Sequence, residues 1–378
     1  MSNDQTMDFL TGRIRDTDSQ EIYTACRKRW DTLAKPLDGL GDLEGIIARI
    51  GGIQHTEHPS IEKRTLLIFL SDNGIVEEGV SQCGSEVTHS VAEAMSRRTS
   101  TACVMAAKAG IRVFPMDVGM NGEKLPNIAD FRIREGSRNF AVEPAMTAEE
   151  TFAAIRTGTA AVEQLKEEGT ELLLLGEMGI GNTSTATAVS CAILGLNPED
   201  VMGRGAGLSD ERLRHKCNVI RDALQKYDWY RKYPKDRTME QLLKEEGEPS
   251  EEELIFILSA LGGYDIAGMV GAILTAAAYH IPVVLDGAIT LAAALIAVRL
   301  CPKVRKILIP SHDPREPMGH RVLEELRLHA VIHGHMALGE GTGAILLIPM
   351  LDVCMEYYNK GTSFDGLGIE AYQRFKGE

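Results

Sequence analysis

Five short apolar runs, each ending in small or polar residues, restrict what this chain can fold into more than any other feature. Residues 66–70 run into Ser71, Asp72, Asn73 and Gly74, and residues 112–116 into Asp117, Val118 and Gly119. Residues 172–175 run into Gly176 and Glu177, residues 281–285 into Asp286 and Gly287, and residues 306–310 into Ser311, His312 and Asp313. Alanine-rich segments of helical pattern lie between them, among them 91–109, 148–168 and 267–279. Continuous apolar strands alternating with helices predict an α/β protein with a mainly parallel sheet flanked by helices on both faces. Ligands of such sheets bind at the carboxyl ends of the strands. Polar residues gather at those ends in all five runs, which predicts a small-molecule site there.

Three glycine clusters add detail. In the stretch 170–194, four leucines break into Gly176-Glu177-Met178-Gly179-Ile180-Gly181, with Asn182, Thr183 and Ser184 as candidate N-caps of an Ala/Thr-rich helix. Strand, glycine loop and helix either cradle an anion on free N–H groups or simply make a tight turn. The spacing matches neither a dinucleotide fingerprint nor a Walker loop. A second cluster, Gly203-Arg204-Gly205-Ala206-Gly207, precedes a helix through Leu224 capped by Ser209 or Asp210. It carries Lys216 about two turns in, either a phosphate ligand or a surface lysine. A third, Gly339-Glu340-Gly341-Thr342-Gly343, precedes an apolar helix over 344–355. Glu340 there is either a proton acceptor or a carboxylate at a helix N-terminus.

Composition excludes other classes. A formal net charge of −14 argues against a nucleic-acid or anionic-membrane surface. The seven cysteines are scattered, odd in number and without a C-x-x-C, which fits a reduced, cytoplasmic setting. The ten histidines offer no metal set, and the most apolar region, 266–300, is broken by Tyr279, His280, Pro282 and Asp286, so no membrane span is expected. The first sixty residues read as helical, with a turn-rich connection at 33–44 leading into a helix over 43–50. Residues 228–253 read as a polar, solvated excursion.

Nine segments in order complete the picture: KPLDGLGDLE at Lys35, SDNGIVEEGVS at Ser71, GSRNFAVEPAM at Gly136, GEMGIGNTST at Gly176, GRGAGLSDERLRHK at Gly203, GGYDIAGMVGAIL at Gly262, IPVVLDG at Ile281, IPSHDPREP at Ile309 and GEGTGA at Gly339. Together they resemble the nicotinate-nucleotide–dimethylbenzimidazole phosphoribosyltransferase family of cobamide (vitamin B12) lower-ligand assembly, over nearly the whole chain. The resemblance implies transfer of the 5-phosphoribosyl group of nicotinate mononucleotide to a nitrogen of an aromatic base, with inversion from β to α and without metal or cofactor. It also implies a homodimer, and a small helical domain built from the chain ends, 1–60 with 344–378, beside an α/β domain at 61–343. By motif matching, Glu340 is the base that takes the azole proton and Glu177 lies in the same pocket. Gly179, Gly205 and Lys216 meet the 5-phosphate, and Asp286 and Ser311 are further site candidates.

The chain departs from the family pattern at Asp72-Asn73-Gly74, where many relatives have D-H-G, and at 35–41, where many have K-P-P-G-S-L-G. Cys83, Val91 and Met178 stand at variable positions of the acceptor-base pocket, so the acceptor stays open among benzimidazoles, purines and phenols. A phenolic acceptor in the family can involve a paired, non-identical subunit. Two other readings stay open. A phosphoribosyl-diphosphate-dependent transferase would carry two adjacent acids where this chain has Glu177 alone. A non-catalytic nucleotide or corrinoid-precursor sensor would not need Glu340 in its glycine frame.

Overall fold

A computed structural model describes residue 7 and residues 10–205, 207–227 and 249–374. Six strands form one sheet: β1 (Arg64–Ser71), β2 (Arg112–Gly119), β3 (Ala129–Asp130), β4 (Leu172–Met178), β5 (Val283–Leu285) and β6 (Leu308–Pro310). Their order is β3-β2-β1-β4-β5-β6 and every pairing is parallel. The chain builds outward in one direction from β1 to β3, then returns to the other side of β1 and builds outward again. The reversal falls between β1 and β4, the place where a doubly wound sheet leaves a crevice at its carboxyl edge.

Side chains alternate across the sheet as the two-residue period requires. Leu67, Phe69, Leu173, Leu175, Val283 and Leu285 join one buried cluster with the helices Ala148–Glu167, Asn182–Leu194, Glu251–Leu261, Tyr264–Ala278 and Ala288–Leu300. Leu66, Ile68, Leu70, Leu172, Leu174 and Val284 join the other with Gln20–Thr32, Asp42–Gln54, Glu86–Ser96, Thr101–Lys108 and Thr342–Lys360. Strands with both faces covered must be apolar throughout, and β4 is buried from Leu172 to Glu177. The helix Tyr264–Ala278 touches Ala148–Glu167 backbone to backbone. A Cβ on Gly158 would lie 1.8 Å from Gly268 O, and one on Gly271 2.0 Å from Ile155 O, so no larger residue fits either place.

The helices Gln20–Thr32 and Thr342–Lys360 meet on the second face, whereas Met7, Leu10 and Ile14 join the first-face cluster. Trp30 is fully buried with its ring 5.0 Å from that of Tyr358, and Arg29 donates to Tyr358 O. Ala34 N donates to Thr362 O at 2.9 Å beside a Leu33–Ser363 bridge.

Several elements differ from the sequence expectation. The helical segment 91–109 is two helices, because Arg98 takes a left-handed φ of 62° and Ser100 accepts from Cys103 N as a fresh N-cap. Asn182 is the first helical residue and not a cap. Gly181, at φ 97°, is the boundary, which frees the Asn182 amide for another use. The helix after the first turn-rich connection runs Asp42–Gln54, longer than 43–50. Most of the polar excursion, 228–248, lies outside the described residues. Its last residues, Glu251 to Glu253, are the first turn of a helix, held by a capping box between Ser250 and Glu253. Strand β3 has only two residues and no apolar run to announce it. Among the described residues no helix is long and apolar enough to cross a membrane.

Candidate active site

A cavity of about 340 Å³ opens at the carboxyl edge of the sheet, bordered by the ends of β4 and β5, by His312 after β6, and by Ser81 and Val91. Three loops close on it. The loop after β4 folds back onto the end of β1: a Cβ on Gly179 would lie 2.1 Å from Ser71 O, a space that only glycine leaves free. Asn73 Nδ2 spans the two strand ends, donating to Ser71 O at 3.4 Å and Ile180 O at 3.5 Å. The Gly339–Gly343 loop lies against β4, where a side chain on Gly176 would strike the Glu340 carbonyl. The loop around Gly205 forms a third wall.

Asp286, at the end of β5, grips the Gly339–Gly343 loop. Its Oδ2 accepts from Gly341 N at 3.0 Å, and its Oδ1 from Gly343 N at 2.7 Å and Ala344 N at 3.3 Å. Burial raises this carboxyl, while His312 and those N–H groups act the other way. His312 packs beside it and exchanges a 2.9 Å hydrogen bond with Ser311 Oγ. Ser311 is fully buried and does not border the cavity.

Three glutamates border the cavity, Glu177, Glu316 and Glu340, and the first and last of them were expected from the sequence. Glu340 has a left-handed φ of 58°, and its Oε2 accepts from Ala102 N at 3.3 Å, in the first turn of Thr101–Lys108. The helix end that it meets is therefore not the one that its own loop begins. Burial raises its pKa, Asp286 adds to this, and the Ala102 N–H opposes it. Glu177 is buried, and Asn182 Nδ2 donates both to its Oε2 and, at 3.2 Å, to Asp265 Oδ2. Burial pushes the Glu177 carboxyl from 4.5 up to about 8, with Asp265 adding to the push. Burial likewise raises Asp265 to about 6, against hydrogen bonds from Ile266 N and Asn182.

The remaining candidates divide. Gly179 and Gly205 line the cavity. Lys216 does not border it and is no surface lysine: it is 1% exposed, donates from Nζ to Thr183 Oγ1 at 2.9 Å, and stands 3.7 Å from where a Gly205 Cβ would be. Burial lowers its pKa from 10.5 to about 8, and Glu316 acts to raise it. Val91 and Met178 line the cavity, whereas Cys83 is half-buried beside Ser81, which takes the lining position. Sequence reasoning missed Asn182 as a bridge, Asp265, His312 and Glu316. Asp265 left one signal, a carboxylate in the first turn of an otherwise apolar helix. Among the described residues no group of three or more His, Cys, Asp or Glu side chains is placed to hold a metal ion.

Comparison with known proteins gives one consistent result. A phosphoribosyltransferase family model matches residues 16–369. The nicotinate-nucleotide–dimethylbenzimidazole phosphoribosyltransferase of Clostridium acetobutylicum is 36% identical over 357 residues, 94% of this chain and 96% of that one. The Escherichia coli SMS-3-5 protein of the same name is 34% identical over 94% of each chain. The crystal structure of CobT from Thermus thermophilus superposes with a TM-score of 0.82 at 32% identity, covering 93% of this chain and 99% of that one.

The raised Glu177 carboxyl has a consequence for stability. Its folded value of about 8 lies above its ordinary 4.5, so the folded protein binds this proton more tightly than the unfolded chain. Stability therefore falls as pH rises between those values. Glu177→Gln, which mimics the protonated form, is expected to flatten that slope. Melting temperatures measured across this pH window for both proteins check it, and parallel slopes would show that Glu177 is already ionised in the folded state.

Proposed function

This chain belongs to the nicotinate-nucleotide–dimethylbenzimidazole phosphoribosyltransferase family, and on that premise we propose how its cavity works. The C1′–nitrogen bond of nicotinate mononucleotide breaks as a ring nitrogen of the incoming base bonds to C1′ from the opposite face. Nicotinate leaves with the bonding electrons, and the proton on the base's second nitrogen passes to Glu340. The product is the α-riboside 5-phosphate of a lower-ligand base for cobamide assembly.

The observation that carries this reading is the pair of glutamates, Glu177 and Glu340, facing one cavity in different protonation environments. Glu177 is held near neutrality by burial and by Asp265, so it keeps its proton. Glu340 is less buried and takes one backbone N–H, so it is the carboxylate free to accept a proton. Negative charge at this end of the cavity also favours the cationic sugar of the transition state. Gly179, Gly205 and Lys216 are assigned to the 5-phosphate, with Thr183 carrying the lysine's contact to the cavity wall. Asp286 orders the Glu340 loop, and Ser311 supports it through His312.

Val91, Met178, Ile289 and Leu338 make the acceptor end apolar. Cys83 acts there at one remove, through the turn that presents Ser81. Such a wall selects by shape, worth about 1–3 kcal/mol per methylene. We also assign the chain ends, 1–60 with 344–378, to a small helical unit beside 61–343, on the Trp30–Tyr358 packing. A cytoplasmic setting is inferred from seven free cysteines. A homodimer is supported by an apolar stripe at helical spacing, Leu346, Met350 and Val353, exposed beside Val104 of the neighbouring helix.

Three measurements test this. Glu340→Gln keeps shape and hydrogen-bonding capacity but cannot take the proton. Its turnover is expected to fall about 100- to 10,000-fold with both substrates still bound, and near-parental turnover would remove it as the base. In a competition assay read by mass spectrometry, several bases are expected to be ribosylated, and strict exclusivity for dimethylbenzimidazole would contradict a shape-only pocket. Val353→Glu is expected to convert dimer to monomer in sedimentation, and a parent that sediments as a monomer would refute the homodimer.

A further inference from the structure

The glycine loop around Gly205 already holds an anion from the protein itself. Glu316 stands just before the helix Pro317–Leu326, and its carboxylate reaches sideways into that loop. Its Oε1 accepts from Gly205 N at 3.1 Å. A Cβ on Gly203 would lie 1.1 Å from its Oε2, so the carboxylate lies flat on backbone that only glycine leaves open. Behind the same loop stands the buried ammonium of Lys216, whose charge Glu316 favours against the effect of burial. Glu316 also borders the cavity, beside Gly205 and Thr183. A carboxylate received by a glycine N–H in front of a buried lysine is the arrangement that a phosphate would make in its place.

We propose that Glu316 is a further residue of the phosphate site: an internal anion that holds the Gly205 loop and Lys216 ready, and that the substrate's 5-phosphate displaces on binding. The proposal rests on the assignment of Gly205 and Lys216 to that phosphate. One N–H cannot serve both anions, and two anions before one lysine repel each other. The phosphate brings more charge and three acceptor oxygens, so it takes the place. The displacement also reaches the cavity wall, because Arg315 N, one residue away, donates to Met336 O at 3.1 Å and Met336 lines the cavity.

The test is calorimetric titration of the full chain with inorganic phosphate near neutral pH, together with KM for nicotinate mononucleotide. Glu316→Gln turns a charged acceptor into a neutral one and is expected to bind phosphate about tenfold more tightly, the difference between a charged and a neutral hydrogen bond. KM should fall in parallel, whereas a merely structural residue would give weaker binding when replaced. Glu316→Asp, which keeps the charge but falls short of Gly205 N, is expected to shift in the same direction and serves if the glutamine variant does not fold. Lys216→Ala is the control. If it weakens phosphate binding while both Glu316 variants bind no more tightly than the parent, Glu316 is not displaced and the phosphate assignment stands. If Lys216→Ala binds phosphate as the parent does, or the parent binds none, the phosphate assignment fails and the role of Glu316 fails with it.

Discussion

The carboxylate of Asp286 is the contact on which this site depends. It receives three backbone N–H groups from the Gly339–Gly343 loop and the first turn of the long carboxyl-terminal helix. Hydrogen bonds to a charged group contribute about 1.5–3 kcal/mol each, and a helix N-terminus adds its own preference for negative charge. That grip ties the end of β5 to a loop that arrives from more than fifty residues later in the chain. It also requires glycine at 343, where a side chain would run into His312 and Asp286 themselves. Loop, strand end and histidine therefore form one unit, and Glu340 inherits its position from it.

Four acidic side chains, Glu177, Asp265, Asp286 and Glu340, converge at the carboxyl edge of the sheet, and each is accommodated differently. Asp286 stands among backbone donors. Glu177 and Asp265 are joined through the Asn182 amide, and burial raises both. Glu340 sits at the mouth of the neighbouring helix Thr101–Lys108. Isolated ionised carboxylates without partners would be too costly to bury. The helix Asn182–Leu194 makes the arrangement possible because it starts on a glycine. Asn182, relieved of capping, turns its amide onto two carboxyls instead.

This also explains what could be read in the sequence. The strands were legible because a strand covered on both faces is apolar without interruption, and the polar residues after the β4, β5 and β6 runs border the cavity, whereas those after β1 and β2 do not. β5 and β6 are shorter than their runs because pairing there ends sooner than apolarity does. β3 was not legible, since two edge residues carry no pattern. Gly179, Gly205, Glu177, Glu340 and Asp286 stood out because glycines and acids beside apolar runs are locally unusual. The pairings of Asn182 with Asp265, of His312 with Asp286 and of Glu316 with Gly205 join positions far apart in the chain, and no local spacing announces them. Lys216 was visible as a residue, but its burial was not, because its ammonium is met by Thr183, 33 residues earlier in the chain.

The two interpretations of Glu340 can be weighed on geometry alone. As a helix-end carboxylate it takes one N–H of Thr101–Lys108, that of Ala102, beside the N-cap Ser100, whose side chain accepts from Cys103 N. A charge added there is worth about 0.3–1 kcal/mol. Against this stands a left-handed φ of 58° at a residue with a Cβ, between two glycines at 88° and 80°. Such a conformation costs of order 1–3 kcal/mol and persists where the surroundings enforce it. Stability alone would favour glycine at 340, as at 339 and 341. A glutamate kept in a strained frame, at a gain of one helix-end N–H, supports the proposed role of its carboxylate in the cavity that it faces.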